Sequence, residues 1–254
     1  MLKVLISGCN GHMGRVVAQV CREAPDVEIT AGFDLLGAEN EEFPVFSSPA
    51  EFPGRADVLI DFSSPAALPG LLDFGTARRI SLVLATTGYS EEQLAAVDTA
   101  ALTVPIFRSG NMSLGVNVLT ALVEKAAAAL GEGFDVEIVE RHHNRKVDAP
   151  SGTALMLAQA AAEGLPYSPE YVYDRQSVRR PRDKREIGIS SVRGGNIVGD
   201  HEVIFAGRDE VIELKHSAMS REVFASGALR AARFLSRAGV PGLYSMKDLV
   251  SQII

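Results

Sequence analysis

The chain has 254 residues and a formal net charge of −7, from 25 lysines and arginines against 32 aspartates and glutamates. This acidic balance argues against a general nucleic-acid binder, so any basic cluster should serve a local purpose. With 46% hydrophobic residues the chain can bury a sizeable core, as one large domain or two small ones. Cys9 and Cys21 are too few for a disulfide framework, which fits a reducing compartment.

Membrane and secretion signals are not expected from the sequence. A membrane helix needs about 20 predominantly apolar residues, and no apolar run is interpreted as approaching that length. The chain begins with the strand-like LKVLISG, without the charged and apolar leader of a signal peptide. We therefore expect a cytoplasmic protein that has neither a membrane nor a nucleic acid as its partner.

The first hundred residues alternate between strand and helix patterns. Short β-branched apolar runs, typical of strands buried on both faces, occur at KVLISG, VEITAGFD, ADVLIDFS, SLVLATTG and VPIFRS. Helical or turn-rich segments separate them, including MGRVVAQVCREA and SEEQLAAVDTAAL, where Ser90 is placed as a helix N-cap. The alternation predicts an α/β fold with right-handed βαβ units and a doubly wound parallel sheet.

After Asn111 the pattern predicts a smaller α+β domain. LGVNVLTALVEKAAAAL is predicted as one long helix, FDVEIVERHH as a strand and GTALMLAQAAAE as a helix. EIGISSVR, NIVGDHEVIFAG and DEVIELKHSA alternate polar and apolar residues, as antiparallel strands with one wet face do. The helix REVFASGALRAARFLSRAG and a short terminal helix near Leu243 could belong to either domain.

The segment GCNGHMGR, between the first strand and the first helix, is the candidate cofactor loop. Gly8, Gly11 and Gly14 would allow a tight turn and a close approach to a pyrophosphate, whose charge rests on the helix N-terminus. The spacing departs from the usual G-x-G-x-x-G, and such a loop alone is a weak signal against an ordinary glycine-rich turn. Asp34, 20 residues beyond Gly14, strengthens it, because an acid there bonds the adenosine ribose.

Asp34 also bears on the choice between NADH and NADPH. Its carboxylate repels a 2′-phosphate, and Leu35 and Leu36 offer no cation to bind one, so NADH is expected to serve at least as well as NADPH. Ligands of such sheets lie beyond the carboxyl ends of the strands. The loops DFSSP, ATTGYS and RSGNMSLGVN, which follow three successive strands, are therefore candidates for lining the cofactor.

The segment EIVERHHNRKVDAPSGTAL, residues 137–155, concentrates proton-active and cationic groups. If its strand continues, alternate residues share a face, so that His142, Asn144 and Lys146 point one way and His143 the other. A histidine and a lysine that converge on one cleft make a proton donor and a fixed positive charge. The pattern predicts acid catalysis on an anionic substrate.

The same segment ends in a predicted helix start. Pro150 stops the strand, Ser151 is a good N-cap, and Gly152 and Thr153 form the first turn. Exposed N–H groups at a helix N-terminus form a ready carboxylate site. The substrate is therefore predicted to be a small anion held by this turn and by Lys146.

The histidines and the basic residues also admit other roles. A metal site is disfavoured, because neighbouring histidines on a strand face opposite ways and no H-x-E or H-E-x-x-H spacing occurs. His201 and His216, distant in sequence, are interpreted as hydrogen-bonded structural residues. The basic cluster RQSVRRPRDKR, residues 175–185, is interpreted as a solvated, mobile loop, with a lid that attracts an acidic substrate as the alternative.

These motifs resemble the signature of the dihydrodipicolinate reductase family, enzymes of lysine biosynthesis in bacteria and plants. The core E-x-H-x-x-x-K-x-D-x-P-S-G-T-A is matched without a break from Glu140 to Ala154. The likeness extends to DFSSP, TTG, GNMSLGVN, SVRGGNIVGDHEV and GLYSMKDLV. The resemblance implies a reductase that converts 4-hydroxy-tetrahydrodipicolinate, a small dicarboxylate, to tetrahydrodipicolinate with NADH or NADPH, in the diaminopimelate and lysine pathway.

The resemblance also implies a role for each matched residue. His142 would be the general acid, Lys146 with His143 would bind and polarise the substrate, and Gly152 and Thr153 would bind a substrate carboxylate. The residues implied to contact the cofactor are Gly8, Gly11, His12, Met13, Gly14, Asp34, Gly88, Ser109, Gly110, Asn111 and Met112.

The fold implied by the resemblance has two domains. Residues 1–110 plus 219–254 would form the Rossmann-like dinucleotide-binding domain, and residues 111–218 the substrate domain, whose open mixed sheet builds a homotetramer. Hinge closure would bring hydride and substrate together. Two alternatives would share the glycine loop: another nicotinamide-dependent amino-acid dehydrogenase, and a non-catalytic NAD-sensing protein. Neither has a reason to carry the whole signature from Glu140 to Ala154.

Overall fold

The structure is a computed structural model that describes residues 1–35 and 42–253. The chain divides into two compact units: the first comprises Met1–Leu114 and Arg221–Ile254, and the second comprises Gly115–Ser220. The predicted domain boundaries, 110/111 and 218/219, lie close to the positions 114/115 and 220/221 at which the chain passes from one unit to the other. The assignment of cofactor and substrate to separate units stays a prediction.

Strands and α-helices largely alternate along the chain up to residue 164. The strands of the described residues are β1 (Leu2–Ser7), β2 (Val27–Phe33), β3 (Val45–Phe46), β4 (Val58–Asp61), β5 (Ser81–Leu84), β6 (Pro105–Arg108), β7 (Asp135–His142), β8 (Glu170–Val172), β9 (Glu186–Arg193), β10 (Gly199–Ala206), β11 (Val211–Ala218) and β12 (Gly242–Tyr244). The α-helices are α1 (His12–Glu23), α2 (Leu68–Arg78), α3 (Glu91–Ala101), α4 (Leu114–Leu130), α5 (Gly152–Gly164), α6 (Glu222–Ala238) and α7 (Met246–Val250).

The first unit contains a seven-stranded parallel sheet in the order β12-β6-β5-β4-β1-β2-β3. One face packs against α1 and α6, with Val4 and Ile6 of β1 in the same cluster as Val17 and Leu229. Residues of alternate parity, such as Leu5, pack with α2 and α3 on the other face. Helices on both faces confirm the predicted doubly wound fold.

Local details of the first unit both confirm and correct the sequence predictions. Ser90 caps α3 as predicted: its Oγ accepts a hydrogen bond from the Gln93 backbone N at 3.2 Å, and Gln93 Oε1 accepts one from the Ser90 N at 3.0 Å. The terminal helix predicted near Leu243 begins later, at Met246, because Gly242–Tyr244 pairs with β6 as a strand.

The second unit contains a five-stranded mixed sheet in the order β11-β10-β7-β9-β8. β10 runs antiparallel to β7 and β11, as predicted, but β9 is parallel to both β7 and β8, so the prediction of an antiparallel β9 was wrong. The connection through α5 returns the chain to the start of the sheet, where β8 begins. Residues 173–185 return it a second time, and β9 therefore runs in the direction of β7 and β8. The core of this unit lies between the sheet and the two helices α4 and α5.

The helix that spans Leu114–Gly133 is long and apolar enough to cross a membrane, with a mean hydropathy of 1.4. The expectation that no apolar segment approaches that length was therefore wrong by this criterion. The helix contributes Leu119, Val123 and Ala127 to the core of the second unit, although only 22% of the tested window is buried. Core helices of soluble proteins reach the same length and hydropathy, so this helix does not by itself indicate a membrane span.

Candidate active site

The glycine loop of the first unit has a backbone that excludes side chains at two positions. Gly8, directly after β1, has a φ of +74°, and a Cβ there would lie 2.8 Å from the carbonyl oxygen of Phe62. A Cβ on Gly14, in the first turn of α1, would overlap the carbonyl oxygen of Gly8. Gly11 is the N-cap of α1. The loop therefore folds tightly against the helix start, as a pyrophosphate site requires.

Three further predicted cofactor residues lie around this loop. The backbone N of Asn10 donates to Asp34 Oδ2 at 3.1 Å, which places the carboxylate beside the loop. His12 is exposed at the start of α1, and Met13 is partly buried against the core. Of the two leucines that bear on cofactor choice, Leu35 is exposed, while Leu36 lies outside the described residues.

The loops that follow β4 and β5 are joined by a buried carboxylate. Asp61 is fully buried and accepts hydrogen bonds from Ser63 Oγ at 2.5 Å, Thr86 Oγ1 at 2.7 Å and Tyr89 OH at 3.4 Å. These loops line a cavity of about 260 Å³, and Gly88, with a φ of +85°, lies in the second of them. The organising role of Asp61 was not predicted, although an acid that ends a fully apolar strand was a signal for it.

The loop after β6 is held by its own hydrogen bonds. Ser109 Oγ donates to the Asn111 carbonyl at 2.8 Å, and the Ser113 N donates to Asn111 Oδ1 at 2.9 Å. Met112 is buried, and its carbonyl oxygen occupies the space that a Cβ on Gly227 of α6 would need. Gly227 was not predicted; a glycine inside a helix was the available signal.

Gly110, the remaining predicted residue of this loop, is exposed, and a Cβ there would meet no atom within 4 Å. Together, the glycine turn, the adjacent Asp34 and the two ordered loops at the carboxyl ends of the strands fit a nicotinamide dinucleotide.

In the second unit, β7 ends at His142, and this corrects the predicted arrangement of the signature. Glu140 and His142 lie on the buried face of the strand. Beyond His142 the chain turns, and the Lys146 N donates to the His143 carbonyl at 3.1 Å. Strand alternation therefore does not align Asn144 and Lys146 with His142. Lys146 Nζ instead pairs with Asp148 Oδ1 at 2.8 Å, where the lysine side chain is 20% exposed.

The predicted helix start is present as α5. Ser151 Oγ accepts a hydrogen bond from the Ala154 N at 3.1 Å, which makes Ser151 the N-cap. Gly152 is exposed and Thr153 is half-buried in the first turn. The Ser151 N donates to Glu140 Oε1 at 3.2 Å, so the helix start is tied to the end of β7.

Glu140 forms the centre of a buried polar group. Its side chain has no exposed surface and accepts hydrogen bonds from His142 Nδ1 at 2.6 Å and from Arg193 at 2.7 and 2.8 Å. Burial alone would raise the pKa of Glu140, but the bonds from Arg193 and His142 outweigh it and lower that pKa from 4.5 to about 2. Glu140 is therefore ionised at neutral pH.

His201 was interpreted as a structural residue, and it is hydrogen-bonded, but it also lies against His142. The two imidazole centroids are 5.1 Å apart, and His201 Nε2 is 2.8 Å from Ser151 Oγ. Burial, and then the neighbouring His142, lowers the pKa of His201 to about 4, so the ring is neutral at pH 7. His216 faces His201 across the β10–β11 pair, and burial lowers its pKa as well.

The basic cluster of residues 175–185 is exposed except at the half-buried Arg182, which agrees with its interpretation as a solvated loop, while its mobility stays a prediction. Arg175 pairs with Glu186 at 2.7 Å and with Glu137 at 2.5 Å. Arg182 pairs with Glu137 at 2.9 Å and with Asp135 at 3.0 Å. Strand carboxylates therefore pair with these two arginines, and the alternative of a lid that attracts an acidic substrate stays a prediction. Within residues 1–35 and 42–253, no group of three or more His, Cys, Asp or Glu side chains is arranged to hold a metal ion.

Comparisons with known proteins agree on one family. The family description "Dihydrodipicolinate reductase, N-terminus" matches residues 2–112, and "Dihydrodipicolinate reductase, C-terminus" matches residues 115–250. A relative named 4-hydroxy-tetrahydrodipicolinate reductase, from Caldanaerobacter subterraneus subsp. tengcongensis, is 54% identical over 99% of both chains. Another of that name, from Clostridium tetani, is 47% identical over 99% of this chain and 98% of its own.

Solved structures point the same way. The dipicolinate-bound dihydrodipicolinate reductase from Paenisporosarcina sp. TG-14 has a TM-score of 0.81 and 25% identity, over 96% of this chain and 97% of its own. A DAP dehydrogenase of C. glutamicum, at 16% identity and a TM-score of 0.57, shares the fold alone. The protein is an oxidoreductase that uses a nicotinamide cofactor. With both halves matched across nearly its whole length, the chain belongs to the dihydrodipicolinate reductase family.

Proposed function

We propose that this protein reduces 4-hydroxy-tetrahydrodipicolinate to tetrahydrodipicolinate with NADH or NADPH, as a step of diaminopimelate and lysine biosynthesis. The observation that carries the proposal is the His142–Glu140 pair at the end of β7, bonded to the N-cap of α5. The solved relative that is bound to dipicolinate supports a small planar dicarboxylate as the ligand. An amino-acid dehydrogenase would share the fold but has no reason to carry this arrangement.

In the first unit, the glycine loop, Asp34 and the loops after β5 and β6 form the proposed cofactor site. Gly8, Gly11, His12, Met13 and Gly14 surround the pyrophosphate, Asp34 bonds the adenosine ribose, and Gly88 with Ser109, Gly110, Asn111 and Met112 lines the nicotinamide. A bound reduced nicotinamide supplies the hydride. The protein contributes a fixed loop geometry, because the backbone at Gly8 and Gly14 admits no side chain.

In the second unit, the substrate is held through its negative charges. The N–H groups of Gly152 and Thr153 bind one carboxylate at the α5 N-terminus. Lys146, with His143, binds and polarises the substrate from the turn that follows β7. The substrate first loses its ring hydroxyl as water. The unsaturated product then receives a hydride and a proton, and His142 donates that proton.

Asp34 favours NADH. A 2′-phosphate would bring further negative charge to a site where the carboxylate already lies beside the loop backbone. The exposed Leu35 provides no compensating cation. NADH should therefore be used at least as well as NADPH.

The assembly is proposed to be a cytoplasmic homotetramer built by the sheet of the second unit. Two apolar side chains of that sheet, Val192 on β9 and Val211 on β11, are 44% and 58% exposed in the single chain. A contact between sheets would remove such surface from water. Light scattering that gives a monomeric mass would refute the tetramer.

The deciding experiment measures oxidation of NADH and of NADPH by the purified protein. The unstable substrate is generated in place from pyruvate and aspartate semialdehyde by a synthase. Oxidation that needs both the synthase and this protein supports the reductase, and the ratio of the two rates tests the role of Asp34. Cofactor binding without oxidation would refute the substrate assignment and favour an NAD-sensing protein.

A further inference from the structure

Glu140 is a fully buried carboxylate of the second unit, and it is hydrogen-bonded to His142, the proposed general acid. Arg193 donates two parallel hydrogen bonds to the Glu140 carboxylate, from Nη1 to Oε2 at 2.8 Å and from Nη2 to Oε1 at 2.7 Å. The Arg193 Nη2 also donates to the Asp148 carbonyl at 2.6 Å. A bidentate pair of this kind fixes the plane of the carboxylate as well as its position.

This fixed carboxylate determines which nitrogen of His142 carries the proton. An ionised carboxylate can only accept hydrogen bonds, so the His142 Nδ1 that lies 2.6 Å from Glu140 Oε2 must be the donor. Nε2 is then the nitrogen that gains and loses a proton. When His142 gives its Nε2 proton to the substrate, the ring is left neutral, with Nδ1–H still bonded to Glu140.

Gly199, the first residue of β10, leaves space beside that same nitrogen. A Cβ at position 199 would lie 3.0 Å from His142 Nε2, and the next nearest atom, Cδ2 of the same ring, is at 3.4 Å. Nothing but the His142 ring lies among the nearest neighbours of this Cβ position. A methyl group there would therefore crowd Nε2, and because Glu140 holds Nδ1, the ring has little freedom to move away.

The other charged groups around His142 are balanced. Arg193 from β9 is paired with Glu140, and Lys146 from the following turn is paired with Asp148 at 2.8 Å. His201 from β10 is neutral at pH 7, because its pKa is about 4. Removing the charge of Glu140 would therefore leave the Arg193 guanidinium without its counter-charge beside His142.

We propose that Glu140 and Arg193 form a positioning pair that fixes the tautomer and orientation of His142, and that Gly199 keeps Nε2 open to the substrate. Glu140 and Arg193 act through His142 and do not themselves touch the reacting atoms. This inference rests on the proposed function in one respect, namely that His142 is the proton donor.

The first test compares Glu140→Gln with Glu202→Gln. Both changes replace an ion-paired carboxylate by its amide, but Glu202 pairs with Arg141 at 2.9 Å on the opposite face of the sheet. Glu140→Gln should lower kcat at least about tenfold, though by no more than loss of the acid itself, about 10²–10⁴-fold. It should also change the basic limb of the kcat–pH profile, because the amide no longer places a negative charge against His142.

Glu202→Gln should leave both kcat and the pH profile unchanged. A Glu140→Gln enzyme that is slower, but whose pH profile coincides with that of the wild type, would mean a merely structural role and would overturn the inference. A Glu140→Gln enzyme with the kcat of the wild type would also overturn the inference.

The second test does not depend on the folding of Glu140→Gln. Nitrogen NMR of the unaltered protein should show that the neutral form of the His142 ring carries its proton at Nδ1 and none at Nε2; the reverse tautomer would overturn the proposal. Gly199→Ala should lower kcat at least about tenfold with unchanged cofactor affinity, because the methyl group crowds the acid. Gly133→Ala, where a Cβ meets no atom within 4 Å, is the matched control and should keep the wild-type rate.

The proposed function and this inference fail in different ways. If His142→Gln retains full turnover, the proposed acid role is wrong, whatever the effect of Glu140. If His142→Gln is slow while Glu140→Gln and Gly199→Ala both retain the wild-type rate, the acid role stands and the positioning pair is refuted.

Discussion

Acidification should weaken the second unit through His201. This side chain is 4% exposed, and burial followed by the proximity of His142 lowers its pKa from 6.5 to about 4. Between these two pH values the unfolded chain binds a proton that the folded chain does not. The contribution of the neutral ring to stability is therefore fully present above pH 6.5 and is lost as the pH falls toward 4.

The size of the effect follows from the two pKa values. Their difference of about 2.5 units, at about 1.36 kcal/mol per unit, gives an upper limit of about 3 kcal/mol for the loss of unfolding free energy. Glu140 adds a separate loss at lower pH, since its pKa is lowered from 4.5 to about 2 and its contribution disappears as the pH falls through that range. His216, whose pKa is also lowered, contributes between pH 7.5 and 4.5 as well, so a variant at position 201 is needed to isolate His201.

The assay compares wild type with His201→Gln, whose amide can still reach Ser151 but does not titrate. Hydrogen exchange of β10 amides follows the second unit separately from the first. The wild-type opening free energy should fall by about 2–3 kcal/mol more than that of the variant between pH 7.5 and 4.5. His12→Gln, which removes an exposed histidine of the first unit, should follow the wild type. Parallel curves for wild type and His201→Gln would refute the reasoning.

Three further changes test individual residues of the two units. His142→Gln should lower turnover about 10²–10⁴-fold with cofactor affinity unchanged, and steady-state kinetics that show near-full turnover would reject its acid role. Lys146→Ala should raise the substrate KM much more than it lowers kcat, because it removes a binding charge; unchanged kinetics would exclude that role. Gly14→Ala should abolish NADH binding in calorimetry, because its Cβ would overlap the Gly8 carbonyl; retained affinity would contradict the described loop.

The parallel sheet of the first unit could be predicted because its strands are buried on both faces and therefore form continuous apolar runs. β3 and β12 have only two and three residues and carry no such run. The direction of β9 could not be predicted from its own residues. Alternation of polar and apolar residues reports which face is buried, whereas direction depends on the route that the preceding chain takes through α5, β8 and residues 173–185.

In the candidate site, too, residues close together in the sequence could be predicted, whereas those brought in from distant strands could not. The cap at Ser151 and the acid at His142 belong to one continuous segment, so local patterns were enough to propose them. Arg193 and His201 reach that segment only through the pairing of β9 and β10, at sequence separations of 53 from Glu140 and 50 from Ser151. No pattern within the segment indicates which distant side chains the sheet will bring to it.

Two ion pairs in the second unit suit different tasks because their exposure differs. Asp148, the partner of Lys146, is 58% exposed, whereas Glu140, the partner of Arg193, has no exposed side-chain surface. An exposed pair contributes little stability, so Lys146 could exchange Asp148 for a carboxylate of the proposed substrate with little loss. A buried pair cannot exchange in this way, since either partner left alone would be a desolvated, uncompensated charge. The lysine pair is therefore suited to binding, and the arginine pair to holding His142 in one orientation throughout the reaction.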